Sequence, residues 1–305
     1  ENNDEPEERI ILINGWNKWN ENSQLHPDRK NGYAFLEATR MALLRSNIQH
    51  NEQTHVENET LAIVIHAFYL DVLEQILEFI SNIDLDLKLF VTTPEQQEQQ
   101  ARDILIHYGR EFELLAVDNR GRDVWPFFQI MPKVTEASHE IILKLHTKKS
   151  KHLKSGNHWR MDLYQKLMAE KNVRNALDLF KDDPEIGIIG PENHVYSMSS
   201  NFIPNKYNIL RLAERMGIKQ DQVSSLSFAA GTMFYARVSA LQPILNLAIN
   251  EEDFDREAGQ TDGTFAHALE RGFSISNLAV GKRLVDTSYA EGNRDLKVVE
   301  QFRYS

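Results

Sequence analysis

Leu61-Ala62-Ile63-Val64-Ile65-His66, then Leu70 to Ile80, then Leu87 to Val91: this stretch decides the fold. The first run is short, apolar and rich in β-branched residues, which marks a strand buried on both faces. Between Leu70 and Ile80 the apolar side chains stand at Leu70, Leu73, Ile76, Leu77 and Ile80, the spacing of a helix face. Leu87 to Val91 returns to a strand and ends in Thr92-Thr93-Pro94. Strand, single helix, strand is the repeating unit of a parallel sheet.

The alternation continues downstream. A polar helix is expected over Glu95–Tyr108, a strand over Phe112–Val117, and a helix from Val124 to Met131 with Pro126 tolerated in its first turn. A strand follows over Glu140–Leu145, then helices over His158–Glu170 and Val173–Phe180, then a strand over Ile186–Ile189 stopped by Gly190-Pro191. Ser227–Tyr235 reads as a strand, Val238–Ile249 and Gly263–Arg271 as helices, and Phe273–Ala279 as a last strand, with a polar, loosely packed tail after Gly281. The fold class is therefore α/β, a mainly parallel sheet flanked by helices. Upstream, Ile10–Ile13 reads as a strand, Asn14–Gly32 as a loop and Tyr33–Leu44 as a helix. The polar stretch Ser46–Thr60 reads as a linker, which divides the chain into residues 1–55 and 56–305.

Composition narrows the function. The 305 residues carry 34 basic and 45 acidic side chains, a formal net charge of −11, and no cysteine. Disulfides, thiolate zinc sites and cysteine nucleophiles are excluded. So strong an acid excess disfavours a nucleic-acid partner, whose phosphates demand a basic surface. No apolar run reaches the ~18 residues of a membrane span, and Glu1–Glu8 is acidic rather than leader-like. A cytoplasmic location is expected, with peripheral contact at the inner membrane through an acceptor or partner domains. The absence of an initial methionine points to a piece of a larger polypeptide with further domains.

Parallel sheets bind ligands at the carboxyl ends of their strands. That rule singles out His66, Thr92, Thr93, Asp118–Asp123 and His146–Lys149. From Ile141 to Met161 there are six Lys/Arg, three His and no acid. Within it, His146-Thr147-Lys148-Lys149 follows a strand and suits a phosphate or diphosphate, which takes point charges and hydroxyl donors. A solvated basic loop is the bland alternative. In Asn119-Arg120-Gly121-Arg122-Asp123, two arginines flank a glycine straight after a strand, and Asp123 stands where it can cap the next helix. Such a turn can grip a nucleotide, or Arg–Asp pairs can simply stiffen it. Asp262, ahead of a helix, is a candidate general base or else that helix's cap. Trp125, Trp159 and Phe234 can line sugar sites or fill the core.

Metal signals are weak. Asp84-Leu85-Asp86 precedes its strand and so lies at the wrong end of the sheet. Asp253-Phe254-Asp255 sits in an acidic patch with Glu251 and Glu252, and His146, His152 and His158 recur every six residues, which aligns with neither helix nor strand. No Walker loop, dinucleotide fingerprint or nucleophile elbow is present.

Several motifs, in order, resemble the rhamnan synthesis F family: Ala62–Tyr69, Val91-Thr92-Thr93, Asn119–Asp123, Leu143–Ser150, Ile189-Gly190-Pro191, Ala230–Phe234 and Asp262–Arg271. The resemblance implies a bacterial polysaccharide glycosyltransferase of O-antigen or cell-wall type. It further implies a nucleotide-sugar donor, favouring a deoxythymidine diphosphate sugar and a transferred sugar such as rhamnose, and a glycan or lipid-linked glycan acceptor. Ile13–Glu21, Leu25-His26-Pro27-Asp28, Gly32 and Leu36–Thr39 are similar to the end of a WbsX-like domain, with Lys18 and His26 where that family has acids. Residues 1–55 then form a strand–helix remnant that is not catalytic, and residues 56–305 a GT-A-like transferase. A half or variant of a two-domain GT-B arrangement is the alternative fold.

The expected roles follow from that resemblance and from the strand-end rule. His66, Thr92, Thr93, Arg120, Gly121, Arg122 and Asp123 hold the nucleotide. His146, Thr147, Lys148 and Lys149 hold the diphosphate in place of the usual Asp-x-Asp and its metal. No cofactor is expected, since Mn or Mg would lack a well-placed Asp-x-Asp. Asp262 deprotonates an acceptor hydroxyl, giving inversion. A non-catalytic carbohydrate- or nucleotide-binding module of an assembly protein is the rival reading.

Overall fold

Leu61–His66 (β1) is buried along its whole length because both of its faces are covered. Ala62 and Val64 point into one apolar cluster and Leu61, Ile63 and Ile65 into another. The computed structural model describes residues 61–149 and 156–300, with residues 17–18, 23–25, 36 and 39 upstream. The expected strand at 10–13 and linker at 46–60 lie outside the described residues, as do Lys151, His152 and Lys154. So does most of the expected helix at 33–44, of which Leu36 and Thr39 are described and helical. Asn17–Lys18 and Ser23–Gln24 pair antiparallel within the expected loop.

The chain from β1 runs through α1 (Leu70–Ser81), β2 (Leu87–Pro94), α2 (Glu98–Tyr108), β3 (Phe112–Val117), α3 (Val124–Glu136) and β4 (Ile141–His146). Next come α4 (Gly156–Met168), α5 (Glu170–Asp182), β5 (Ile186–Gly190), β6 (Val195–Ser197), α6 (Lys206–Arg215) and α7 (Gln220–Ser224). The chain closes with β7 (Ser227–Ala229), β8 (Phe234–Arg237), α8 (Val238–Leu245), α9 (Phe265–Ala279), β9 (Arg283–Asp286) and β10 (Val298–Val299). One seven-stranded sheet has the order β9-β5-β8-β4-β1-β2-β3, and only β8 runs against its neighbours. Helices α1, α2, α4 and α5 cover one face, and α3, α6, α8 and α9 cover the other. The α/β architecture is thus built on a central, mainly parallel seven-stranded sheet flanked by helices, compatible with a GT-A-like form. Among the described residues no helix is long and apolar enough to cross a membrane.

Three expectations change. Phe273–Ala279 continues α9 rather than forming a strand. Its alternation of apolar residues with Ser274, Ser276 and Asn277 imitates a strand, but this helix is buried nearly all round. Two of its polar side chains bond to backbone: Ser276 Oγ donates to Ala240 O at 2.8 Å and Asn277 Nδ2 to Lys282 O at 3.1 Å. The last strand of the sheet is β9, inside the supposedly loose tail, parallel to β5. Ser227–Tyr235 is not one strand. It breaks at Ala230–Met233, so that β7 joins a small sheet with β6 and β10 while β8 enters the main one.

Register places the functional ends. His66 pairs with Thr92 on β2 and with His146 on β4, so three polar side chains stand in a row at the carboxyl edge. Because β8 is reversed, its leading turn, Gly231-Thr232, arrives at that same edge beside Lys144.

Candidate functional site

The centre of the site is a carboxylate with three partners. Asp123 Oδ2 lies 2.5 Å from Lys144 Nζ and accepts the Thr232 hydroxyl, while Oδ1 lies 2.9 Å from His146 Nδ1. Lys144 also donates to Thr232 O at 3.0 Å and lies over the Phe127 ring. Asp123 therefore does not cap α3 as the sequence suggests; its side chain accepts no hydrogen bond from the helix backbone and turns toward β4 instead.

Lys144 is 1% exposed. A buried ammonium needs a counter-ion and hydrogen-bond acceptors to persist, and Asp123 supplies both. Burial works against the charge on Asp123, but His146 and Lys144 outweigh it and hold the carboxyl well below the usual carboxylate range. Burial keeps His146 neutral despite Asp123. Burial also pushes His66 down to about 3, with His146 and Lys144 adding to the effect and Asp123 opposing it. His66 Nδ1 and Thr92 Oγ1 are 2.9 Å apart.

Thr232 is held at φ 53, in the left-handed region that β-branched residues avoid. The preceding Gly231 has φ 82, and a Cβ there would lie 2.8 Å from the Trp159 ring. Gly231 N donates to Glu270 Oε1 at 2.6 Å, and Arg271 Nη1 reaches Glu270 Oε2 at 2.8 Å. Arg271 Nη2 then lies 3.4 Å from Asp262 Oδ2. A continuous polar chain thus joins Asp262 to Asp123 through Arg271, Glu270 and the Gly231-Thr232 turn.

Asp262 is not the cap of α9 either. Thr264 takes that position, closing a capping box with His267. The Asp262 carboxylate, 36% exposed, accepts from Asn205 Nδ2 at 2.7 Å and from Gly263 N at 2.9 Å. Burial resists its ionisation, but Arg271, Asn205 and Gly263 outweigh it and lower its pKa. The group is an exposed, ionised carboxylate at neutral pH.

The remaining candidates divide. Thr147 ties strands together, its hydroxyl accepting from Tyr69 N at 2.8 Å and donating to His66 O at 3.3 Å. Thr93 donates to Ala67 O at 2.9 Å from a fully buried position. Lys149 pairs with Asp71 and lies over the Tyr69 ring. Lys148 lies 5.1 Å above the Trp159 ring and makes no ion pair among the described residues. Arg160 donates to Lys148 O at 3.0 Å, which fixes the backbone there. Phe234 is core, and Trp125 packs against Phe254.

Arg120 and Arg122 bind their own chain. Arg120 donates to Phe254 O at 2.8 Å, and Arg122 reaches Gln260 O and His267 Nε2. Gly121, at φ 65, sits where a Cβ would meet Trp125 Cβ at 2.5 Å and Phe254 Cδ1 at 2.6 Å. The glycine lets the loop 251–260 close on this turn.

Of the two acidic motifs, Asp253-Phe254-Asp255 is engaged with its own chain. Asp253 accepts from Asn250 N and Asp255 from Phe265 N, both at 2.9 Å. Asp86 lines an open cleft with Lys88, Arg110 and His139 near the start of β2. Among the described residues no group of three or more His, Asp or Glu is disposed to hold a metal. At the end of β4 the donors are an imidazole, a committed hydroxyl and two ammonium groups, a set that does not fit a divalent cation seeking oxygen ligands.

Lys144, Thr232, Glu270 and Arg271 carry the site and were not singled out from sequence. Lys144 left a signal: a lone cation inside the apolar run Ile141–Leu145. Arg271 closes the motif Asp262–Arg271, and its guanidinium partners His267, Glu270 and Asp262 lie within nine residues of it, but an arginine late in a helix reads as solvent-facing rather than 1% exposed.

Two family models match the sequence. Rhamnan synthesis protein F matches residues 28–280, and Glycosyltransferase WbsX matches residues 1–39. Two relatives, each an uncharacterized protein WxcX from Xanthomonas campestris pv. campestris (strains B100 and ATCC 33913), are 33% identical over 297 residues. That covers 97% of this chain and 42% of each relative, so the chain spans less than half the length of those proteins. With a match over most of its length and a sheet of the expected form, the chain belongs to the rhamnan synthesis protein F family, a group of polysaccharide-synthesis, glycosyltransferase-like proteins.

Proposed function

We propose that the chain is the sugar-transferring domain of a polysaccharide glycosyltransferase using a nucleotide-sugar donor, with a deoxythymidine diphosphate sugar favoured. The observation that carries this reading is the cluster at the carboxyl edge of β1, β2 and β4, where Asp123 organises Lys144 and His146. Lys148 and Lys149 beside it offer charge to a diphosphate. His66 and Thr92 line the nucleotide side, with the Arg120–Asp123 turn behind them. Residues 1–55 are assigned as a non-catalytic remnant of a WbsX-like domain.

In the proposed reaction Asp262 takes the proton of an acceptor hydroxyl on a glycan or lipid-linked glycan. The oxygen forms a bond to the anomeric carbon as the carbon–oxygen bond to the diphosphate breaks, and the diphosphate leaves with that electron pair. Configuration inverts. The leaving charge falls on the lysines, with no metal required, because ammonium groups occupy the strand end.

A binding-only module is the second reading, favoured by Arg120 and Arg122 being spent on their own chain. A thermal-shift panel of deoxythymidine, uridine, guanosine and cytidine diphosphates, with Mn²⁺ or EDTA, tests the proposal. Stabilisation by one nucleotide regardless of Mn²⁺, and sugar transfer that survives EDTA, are expected. No shift with any nucleotide overturns the donor reading, and a strict Mn²⁺ requirement overturns metal independence.

A further inference from the structure

One buried atom at the centre of this site has no partner among the described residues. His146 is 7% exposed, and its Nε2 makes no hydrogen bond to any of them. Its other ring nitrogen, Nδ1, faces Asp123 Oδ1 at 2.9 Å. That carboxylate is ionised, because it also holds the Lys144 ammonium and the Thr232 hydroxyl. A carboxylate has no proton to give, so the hydrogen of this bond sits on Nδ1. A second proton, on Nε2, would place an imidazolium beside Lys144 and Lys148 in a buried position, which both charges oppose. Nε2 therefore presents a lone pair.

A lone pair in this position selects chemistry. Leaving a buried polar atom unpaired costs about 1–3 kcal/mol, and a ligand that satisfies it recovers that cost. The inner oxygens of a diphosphate are acceptors too and carry no proton at neutral pH, so they repel Nε2. A hydroxyl donates to it. Resting on the nucleotide-sugar reading, we infer that His146 is a specificity-determining residue that accepts a hydrogen bond at Nε2 from a hydroxyl of the donor. Asp123 is its positioning residue, locking the tautomer from behind, and Lys144 and Thr232 lock Asp123. Lys148 and Lys149 are then the diphosphate-facing groups, and His146 reads the sugar or the nucleoside next to them.

The test is imidazole ¹H–¹⁵N correlation on the full chain at pH 7, with deoxythymidine diphosphate glucose, deoxythymidine diphosphate and inorganic pyrophosphate as probes. His146 is expected in the Nδ1–H tautomer without ligand. The nucleotide sugar is expected to move the Nε2 resonance, and pyrophosphate to leave it in place. Movement by the nucleoside diphosphate alone puts the hydroxyl on the nucleoside; movement only by the sugar nucleotide puts it on the transferred sugar. His146→Phe is expected to weaken nucleotide-sugar binding about three- to tenfold, with pyrophosphate unaffected and His146→Gln, which keeps an acceptor, restoring part. An Nε2–H tautomer, an imidazolium, equal movement by pyrophosphate, or a bound nucleotide sugar that leaves Nε2 unmoved overturns the inference alone. Failure of every probe to bind overturns the donor reading and the inference with it.

Discussion

Asp123 and Lys144 form a buried ion pair, Oδ2 to Nζ 2.5 Å, between the start of α3 and the middle of β4. Removing one partner leaves the other as an uncompensated buried charge. Lys144→Met is expected to lower stability by about 3–5 kcal/mol, read from urea unfolding. The double replacement Asp123→Asn/Lys144→Met should cost less than the two single changes added together, since it removes both charges. Strict additivity would mean the pair does not couple.

Asp262 stands apart from that pair yet is joined to it through Arg271 and Glu270. If it is the base, Asp262→Asn should cut sugar transfer by about 10²- to 10⁴-fold while nucleoside diphosphate binding stays within twofold. Transfer assays and calorimetry on the same sample separate the two. A fully active Asp262→Asn protein would reduce the residue to a loop anchor.

Lys148 and Lys149 differ in what already holds them, Lys149 being paired with Asp71. Lys148→Ala is expected to weaken nucleoside diphosphate binding by about tenfold or more, and Lys149→Ala by less. Raising salt should narrow the difference, because an exposed ammonium is screened.

Stability should fall as pH drops from 7 toward 4. His66 titrates at about 3 in the folded chain against 6.5 unfolded, so between those values the unfolded state binds the extra proton. The slope of stability with pH is then positive, and the contribution is complete only above 6.5. Each pH unit below that costs about 1.4 kcal/mol for this group. His146, His194 and His267 are also lowered and act in the same direction. Urea midpoints measured from pH 7 to 4 should fall, and His66→Gln should flatten the curve.

Gly121 admits no side chain. A Cβ would collide with Trp125 and Phe254, and φ 65 is unfavourable for an L-residue. Gly121→Ala is expected to cost about 2 kcal/mol or more and to loosen the loop 251–260, detected by faster proteolysis there. Wild-type stability in this variant would show that Phe254 can withdraw without penalty.

The parallel core was legible because its information is local. Leu61–Ile65 and Leu87–Val91 are apolar throughout, and Leu70–Ile80 repeats at helical spacing, so period and length identify each element. The reading failed where burial on all sides removed the period. Phe273–Ala279 alternates like a strand because its polar residues are buried, with Ser276 and Asn277 bonding to backbone inside the core rather than facing water. The motifs His146–Lys149, Asn119–Asp123 and Asp262 were found because each follows a strand or precedes a helix.

The sequence alone determined the α/β class, the strand ends at which polar groups collect, and the family. Hydrophobic period and residue type are written in short windows, so one chain suffices to read them. Tertiary structure alone decided what those groups do. Asp123 lies 21 residues from Lys144 and 109 from Thr232, and only the reversed strand β8 delivers Thr232 to it. It turned Asp123 from a helix cap into the holder of a buried lysine and histidine. Strand order and register are set by packing across the whole sheet, and so are the partners of every charge at its edge.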